Sequence, residues 1–233
     1  RTPLNGMLGF TELLDEELTD KSQKEMLDII QKSGLRLMDT LNSILDLTMI
    51  EANVIVLNKF VFDVNSLINE KIELYKKNAI IKNLYLHFDT DSNYQIFTDF
   101  KLLSRIISNI LDNAVKYTKK GGVKIKLETE TKQNENYLII KIKDTGIGIE
   151  EKHFHFIFNH FTQVSNGLSR EYEGSGIGLS ICKKYIDLLN GSIEVESRIN
   201  EGSLFTIKIP GLITTQKNVE SKNIIAANEK AKI

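Results

Sequence analysis

The chain has few of the residues from which several common kinds of site are built. Its 233 residues include one cysteine, Cys182, which excludes an internal disulfide and is consistent with a reducing compartment. Cys182 falls in a predicted helix, where we expect a buried structural thiol. The formal net charge of −1 gives no reason to expect a nucleic-acid or membrane partner.

Long apolar segments are also missing. No apolar run approaches the ~18–20 residues that a membrane-spanning helix needs, and no signal peptide is visible. The chain begins with Arg1 rather than methionine, which indicates a fragment of a longer protein. We therefore expect a cytoplasmic unit, with any membrane attachment in segments outside this chain.

Histidine is scarce, with four residues in the chain. His153 and His155 lie two positions apart, but no carboxylate or cysteine at ligand spacing completes a metal site around them. His87 falls in a strand pattern, which indicates a packing or surface position. His160 lies between the two glycine clusters described below.

Glycine, in contrast, is concentrated in two clusters. Residues 144–149 read Asp-Thr-Gly-Ile-Gly-Ile, and residues 173–179 read Glu-Gly-Ser-Gly-Ile-Gly-Leu. Either cluster alone is as typical of an ordinary turn as of a binding loop. The elements beside them therefore have to distinguish these two interpretations.

The first cluster follows an alternating, isoleucine-rich segment, Tyr137 to Lys143, which predicts a strand. Asp144 then lies at the strand end, where its side chain can enter a pocket. A carboxylate only accepts hydrogen bonds, so it suits an exocyclic amino group such as that of adenine. Gly146 and Gly148 have no Cβ, so the backbone can lie close against a flat ring.

The second cluster leads into a predicted helix from Ile177 to Asn190, with apolar residues at helical spacing. A glycine-rich turn at a helix N-terminus offers free N–H groups and a positive dipole to phosphate. An adenine contact at one cluster and phosphate contacts at the other predict ATP as the ligand.

A third polar set lies upstream. Asn109, Asn113, Lys116 and Tyr117 share one face of a predicted helix, whose other face is apolar. Amide oxygens can bind Mg2+, and a lysine can contact phosphate oxygens. The alternative interpretation is a solvated polar face without a ligand.

Taken together and in this order, these blocks resemble the N, G1, F and G2 boxes of the histidine-kinase ATP-binding domain. The F box corresponds to residues 158–163, Phe-Asn-His-Phe-Thr-Gln. Residues 1–5 resemble the segment just after the phospho-acceptor histidine, and residues 41–53 resemble the end of the second dimerisation helix. The resemblance extends over about nine tenths of the chain and is strongest to hybrid sensor kinases.

Helix signals and the resemblance together predict three parts. Residues 1–53 form an α-helical hairpin whose second helix has an apolar seam at heptad spacing, so we expect homodimerisation into a four-helix bundle. Docking of the seam onto the rest of the same chain is the alternative. Residues 54–211 form an α/β sandwich of the Bergerat (GHKL) type. Residues 212–233, polar and without periodicity, are expected to form a disordered linker or tail.

Local signals set several boundaries in this prediction. Asn53 is expected to end the second helix in a left-handed conformation. Asp63 and Asp99 are expected to cap the helices that follow them. Strands are predicted over 54–62, 84–88, 95–98, 123–131, 192–197 and 203–209.

The resemblance also implies residue roles. Asp144 accepts from the adenine amino group, Asn109 holds Mg2+, and Lys116 and Tyr117 contact phosphate and sugar. Thr2 matches an accessory residue in response-regulator dephosphorylation. The implied ATP-binding set is Asn109, Asn113, Lys116, Tyr117, Asp144, Gly146, Gly148, Ile149, Phe161, Arg170, Gly174, Ser175, Gly176, Ile177, Gly178 and Leu179.

Asn109 also bears on the reaction. ATPases with this fold carry a glutamate there as the general base for water, and an asparagine cannot take a proton at neutral pH. The resemblance therefore implies a histidine kinase, whose imidazole attacks the γ-phosphorus and whose phosphoryl group passes to a response-regulator receiver domain. That histidine is expected three residues before Arg1, so this chain has no catalytic nucleophile. An ATP-binding pseudokinase scaffold and a GHKL-type ATPase are the alternatives.

Four positions depart from the pattern that the resemblance implies. Leu102 and Arg105 stand where the family often has arginine and glutamine, and Met49 and Ser165 replace a common lysine and a common lid aspartate. All four lie outside the expected nucleotide contacts.

Overall fold

A computed structural model describes residues 2–132, 135–159, 176–217 and 224–225. The N-terminal part is a pair of helices, α1 (Thr2–Glu17) and α2 (Lys21–Glu51). Asp20 begins α2, because its carboxylate accepts from the Gln23 N–H at 2.9 Å. Asn53 follows α2 with φ 52°, so the predicted left-handed end of the helix is confirmed.

The remainder of the chain consists of three helices and nine strands among the described residues. In chain order they are β1 (Lys59–Asp63), α3 (Val64–Ile81), β2 (Tyr85–Asp89), β3 (Ser92–Asp99), α4 (Phe100–Tyr117), β4 (Gly122–Lys132), β5 (Glu135–Asp144), α5 (Gly178–Leu188), β6 (Ser192–Arg198), β7 (Gly202–Pro210), β8 (Ile213–Lys217) and β9 (Ile224–Ile225). A 3-10 turn, Glu151–His153, follows the first glycine cluster.

Two sheets result. The larger has the order β6-β7-β5-β4-β2-β9, with β2 and β4 parallel and the other pairs antiparallel. The smaller has the order β1-β3-β8. Along β4, buried Val123, Ile125 and Leu127 alternate with Lys124 and Lys126, so one face is apolar. Helices α4 and α5 cover that face, which confirms the predicted α/β sandwich.

Helix α4 is the central element of the core. Its apolar residues recur at helical spacing, and Ile106, Ile107 and Ile110 are completely buried. Asp99 caps its start by accepting from the Leu102 N–H at 3.0 Å, and Asp63 caps α3 in the same way, as predicted. The α3 residue Tyr75 donates its hydroxyl to the Ser108 carbonyl at 3.0 Å, which fixes α4 against α3.

The structure differs from the sequence prediction at two strands and the tail. Strand β1 starts at Lys59 rather than at residue 54, and β3 is longer than residues 95–98. The predicted unstructured tail from residue 212 is wrong for residues 213–217, which pair with β3 as β8, and for residues 224–225, which pair with β2 as β9. Segment 213–217 has no apolar alternation to reveal it, and it is a strand because β3 supplies backbone partners.

The two-helix part contacts the sandwich through the end of α2. Ile50 belongs to the sandwich core, Leu47 is buried, and Asp46 forms an ion pair with Arg105 of α4. The seam farther up α2 stays exposed, with Ile30, Leu37 and Ile44 open to solvent. Packing within the chain therefore buries Leu27 near the start of α2 and Leu47 and Ile50 near its end, but leaves the apolar residues between them largely exposed. Among the described helices, none combines the length and the apolar character needed to cross a membrane.

Candidate functional site

Asp144 ends β5 with its side chain turned into the protein. The residue is 5% exposed, and its Oδ1 accepts from the Gly146 N–H at 2.8 Å and from the Ser203 N–H at 3.2 Å. Burial raises the pKa of this carboxyl, and the two backbone hydrogen bonds partly oppose that rise. Desolvation therefore disfavours the ionised form of this acceptor, and the hydrogen bonds favour it.

The two glycines after Asp144 lie so close to other backbone segments that a side chain would not fit at either position. A Cβ on Gly146 would be 2.6 Å from the Tyr117 carbonyl oxygen, and one on Gly148 would be 1.9 Å from the Arg198 carbonyl oxygen. Gly148 also has φ +71°, a conformation that L side chains rarely adopt. The glycines predicted from the sequence are therefore required here by close packing.

One set of contacts was missed by the sequence analysis. The turn between β6 and β7, residues 197–203, closes over residues 144–149. Ser197 Oγ accepts from the Ile149 N–H at 2.8 Å, and the Asn200 N–H donates to the Ile147 carbonyl at 2.8 Å. The sequence signal for this turn is Asn200-Glu201-Gly202 between two predicted strands, which indicates a connection but no contact with the loop.

Helix α4 contacts both glycine clusters. Near its middle, Asn109 Nδ2 donates to the Gly178 carbonyl at 3.3 Å, at the start of α5. At its end, the Tyr117 carbonyl accepts from the Ile147 N–H at 3.2 Å. Three blocks that are far apart in sequence therefore meet at one edge of the sandwich.

The polar face of α4 carries the remaining predicted residues. Asn113, Lys116 and Tyr117 are each partly buried, and the Lys116 ammonium lies 5.1 Å from the centre of the Tyr117 ring. Burial lowers the pKa of Lys116, and the neighbouring Asp112 carboxylate opposes that shift. A cation held in this position is suited to an anionic ligand.

The second cluster is described from Gly176 onward. Gly176 has φ +67°, and the Ser180 hydroxyl donates to the Ile177 carbonyl at 2.8 Å in the first turn of α5. The Cβ position of Gly178 lies 3.9 Å from Asn109 Cγ, so the start of α5 faces α4. The observed helix, Gly178–Leu188, is slightly shorter than the predicted one. Leu179 is partly buried beside the core.

Several predicted residues lie outside the described residues or away from this edge. Phe161, Arg170, Gly174 and Ser175 belong to the range 160–175, which the structure does not describe. Thr2 is exposed in the first turn of α1. In the described part of the chain, no three His, Cys, Asp or Glu side chains form a group suited to a metal ion.

Cys182 packs directly behind the site. The thiol is completely buried, lies 3.8 Å from the Ile106 carbonyl and has a hydrogen bond to the Asn109 side chain. Burial raises the pKa of Cys182 to about 12, so the thiol is neutral. The prediction of a buried structural thiol is confirmed.

Comparison of the sequence with known protein families gives two matches. Residues 1–53 match the His Kinase A (phospho-acceptor) domain. Residues 98–212 match the family described as histidine kinase-, DNA gyrase B- and HSP90-like ATPase. These two matches together include more than two thirds of the chain.

Individual relatives agree. The chain is 35% identical over 213 residues to hybrid signal transduction histidine kinase B of Dictyostelium discoideum, with 90% of this chain and 11% of that protein aligned. It is 35% identical over 214 residues to the autoinducer 2 sensor kinase/phosphatase LuxQ of Vibrio harveyi, with 90% and 25% aligned. The chain thus spans a quarter or less of these relatives.

A solved structure has the same arrangement of elements. Full-length ShkA in complex with AMPPNP superposes with a TM-score of 0.76 at 26% sequence identity, over 93% of this chain and 44% of that one. Helical pair, sandwich and sequence blocks are therefore found together in known proteins. The chain belongs to the sensor histidine kinase family, and it comprises a segment that matches the phospho-acceptor domain followed by a GHKL-type ATP-binding domain.

Proposed function

We propose that this chain is the ATP-binding kinase core of a two-component sensor kinase. In this function, it binds Mg-ATP and presents the γ-phosphate to a histidine outside the chain. The phosphoryl group then passes to the aspartate of a receiver domain, in the same protein or in another. The buried Asp144 carboxylate, held on two backbone N–H groups beside glycines that allow no side chain, carries this proposal.

The adenine end follows from the hydrogen bonds of Asp144. Oδ1 is used by the Gly146 and Ser203 N–H groups, so we assign Oδ2 to the adenine amino group. A guanine presents a carbonyl oxygen at that position, which a carboxylate repels. The lost hydrogen bond costs about 1–3 kcal/mol, so ATP binds more tightly than GTP.

The phosphate end is assigned to α4 and the start of α5. With Asn109 Nδ2 donating to Gly178, its Oδ1 is the atom that would hold Mg2+, with Asn113 beside it. Lys116 and Tyr117 are assigned to phosphate and sugar, and residues 176–179 at the start of α5 are assigned to the phosphates. Mg2+ is usually coordinated by few protein ligands, together with oxygens of phosphates and waters. A site that offers amide oxygens is therefore suited to it.

The expected reaction follows from the residue at position 109, because the asparagine side chain cannot act as a general base. An amide does not remove a proton from water at neutral pH, so hydrolysis lacks its usual catalyst at this position. The chain's own residues bind and orient the nucleotide, and the attacking group is an imidazole supplied elsewhere. The exposed apolar residues Ile30, Leu37 and Ile44 of α2 are the proposed homodimer contact.

A phosphorylation assay tests the proposal. A His-Glu-Leu extension before Arg1 restores the expected phospho-acceptor, and the protein is incubated with Mg2+ and γ-labelled ATP. Acid-labile, alkali-stable label is expected on the protein. Asp144→Ala should abolish it, whereas Asp187→Ala, which removes an exposed carboxylate of α5, should not.

Two other results would overturn the proposal. Rapid release of free phosphate without label on the protein would make the chain an ATPase. ATP binding without either product would make it a pseudokinase scaffold.

A further inference from the structure

Both ends of the loop 144–149 depend on one hydroxyl group, that of Ser197. Its Oγ accepts from the Ile149 N–H at 2.8 Å and donates to the Gly202 carbonyl at 2.8 Å. It also lies 3.0 Å from Ser203 Oγ. A hydroxyl has one proton, and that proton goes to Gly202, so Ser203 is the donor in the third contact. The hydrogen-bonding capacity of Ser197 is therefore fully used.

These three bonds connect the loop to β7, whose Ser203 N–H donates to the Asp144 carboxylate. Ile149 is the last residue of the loop, and Gly202 begins β7 directly before Ser203. The Ser203 N–H is one of the two donors to Asp144 Oδ1. Ser197 thereby fixes the end of the loop and, through Gly202, the donor at its beginning.

Because the loop 144–149 packs closely against β7, the loop is sensitive to the distance between them. A Cβ on Gly202 would be 2.1 Å from the Asp144 carbonyl oxygen, and the Gly148 position is equally crowded against Arg198. Backbone on the two sides is thus in direct contact, with no side chains between to absorb a shift. A change of a few tenths of an ångström at Ser197 is passed to the carboxylate.

We propose that Ser197 is a positioning residue for the nucleotide base. It sets the distance between the loop 144–149 and β7, and so determines how Asp144 meets the adenine amino group. This inference rests on the proposed function of the site. Because the effect lies at the base end, it applies to ATP and ADP alike and does not involve the γ-phosphate.

Calorimetric titration with ATP, ADP and GTP tests this role in three variants of the full chain. Ser197→Ala removes all three hydrogen bonds, Ser197→Thr keeps the hydroxyl, and Ser192→Ala makes the same change at the other end of β6. For Ser197→Ala, we expect roughly tenfold weaker binding of ATP and of ADP, the effect of one lost hydrogen bond. GTP, which does not use the carboxylate as acceptor, should change by less than about twofold.

The remaining measurements separate positioning from a general loss of structure. Ser197→Thr should restore ATP affinity to near that of the unchanged protein, and Ser192→Ala should leave it unaltered. Thermal unfolding without nucleotide should show one cooperative transition for each variant, with a lower midpoint for Ser197→Ala because it loses three hydrogen bonds. Equal ATP affinity in Ser197→Ala and the unchanged protein would overturn the inference, as would an equal loss for ATP and GTP. Failure of the unchanged protein to bind ATP would instead overturn the proposed function.

Discussion

At the scale of single residues, the buried carboxylate of Asp144, which we assign to the nucleotide base, is expected to reduce the stability of the fold. Its carboxylate is buried, and burial raises its pKa above the ordinary aspartate value of 3.8. Because the raised pKa belongs to the folded state, the group favours folding at low pH. That contribution is lost as the pH rises through the folded-state pKa. At neutral pH, the ionised side chain therefore opposes folding.

Replacement of Asp144 by asparagine should thus separate stability from binding. Without nucleotide, Asp144→Asn should be more stable than the unchanged protein at pH 7, and the difference should shrink toward pH 4. Its ATP affinity should fall by about 1–3 kcal/mol, because the amide offers a donor in place of an acceptor. Thermal unfolding between pH 4 and 8 and calorimetric titration measure these effects. A variant that is less stable at pH 7, or that binds ATP equally well, would contradict this account.

At the scale of elements, α4 joins the site to the core. Its last turn holds the loop 144–149 through the Tyr117 carbonyl, and the position of that turn depends on a residue of another element. Lys82, directly after α3, donates to the Val115 and Lys116 carbonyls at 2.9 Å each. A cation at a helix C-terminus satisfies terminal carbonyls and complements the helix dipole.

Lys82→Met should therefore loosen the end of α4. We expect a loss of about 1 kcal/mol in the free energy of unfolding, since the ammonium group is only partly shielded from water. Amide hydrogen exchange in the last turn of α4 should become faster. Lys77→Met is the matched control, because Lys77 is an exposed lysine of α3. Urea unfolding gives the stabilities, and equal values for the two variants would show that Lys82 has no capping role.

The elements also show what the sequence could predict. The face of α4 with Asn109 and Lys116 and the caps Asp63 and Asp99 depend on local spacing, and the structure has them as predicted. The two glycines after Asp144 have a different reason from the predicted approach to a flat ring, because they pack against backbone of the protein itself. The turn 197–203 was missed because its contacts with the loop join backbone groups about 50 residues apart. Strand β8 was missed because its only signal is its partner, β3.

At the scale of the whole molecule, the exposed apolar surface of the helical pair indicates an interaction site. Leu37, near the middle of α2, is 60% exposed, and Phe10, Ile30 and Ile44 are also open to solvent. Large contiguous apolar surface on a folded chain marks an interaction site. Residues at heptad spacing on one helix are typical of a helical bundle between two copies.

A charge on this surface should abolish the homodimer. Leu37→Glu should be monomeric at concentrations where the unchanged chain is dimeric, because a carboxylate is strongly disfavoured in an apolar helix contact. Sedimentation analysis over a concentration series measures this. Leu74→Glu is the control, since Leu74 is an exposed leucine of α3 outside the helical pair. A monomeric unchanged chain at high concentration would remove the dimer from the proposal.

The contact between the two parts of the chain depends on a charge pair that the sequence showed only as a departure from the family pattern. Arg105 of α4 forms an ion pair with Asp46 of α2, and the Asp46 side chain is 17% exposed. Asp39 lies about two turns earlier on α2. Burial raises the pKa of its carboxyl, and the same arginine partly opposes that rise. Arg105 therefore faces two carboxylates of α2.

Reversal of this charge should release the sandwich from α2. Arg105→Glu would place three carboxylates together, so the two parts should separate and the radius of gyration in X-ray solution scattering should increase. Combining it with Asp46→Arg restores an opposite pair and should return the compact value. Lys183→Glu breaks an ion pair within α5 and should leave the radius unchanged. Because such partly exposed pairs contribute only about 1 kcal/mol, the effect should be clearest at low salt. An unchanged radius for Arg105→Glu would show that the apolar contacts of Leu47 and Ile50 hold α2 in place without the ion pair.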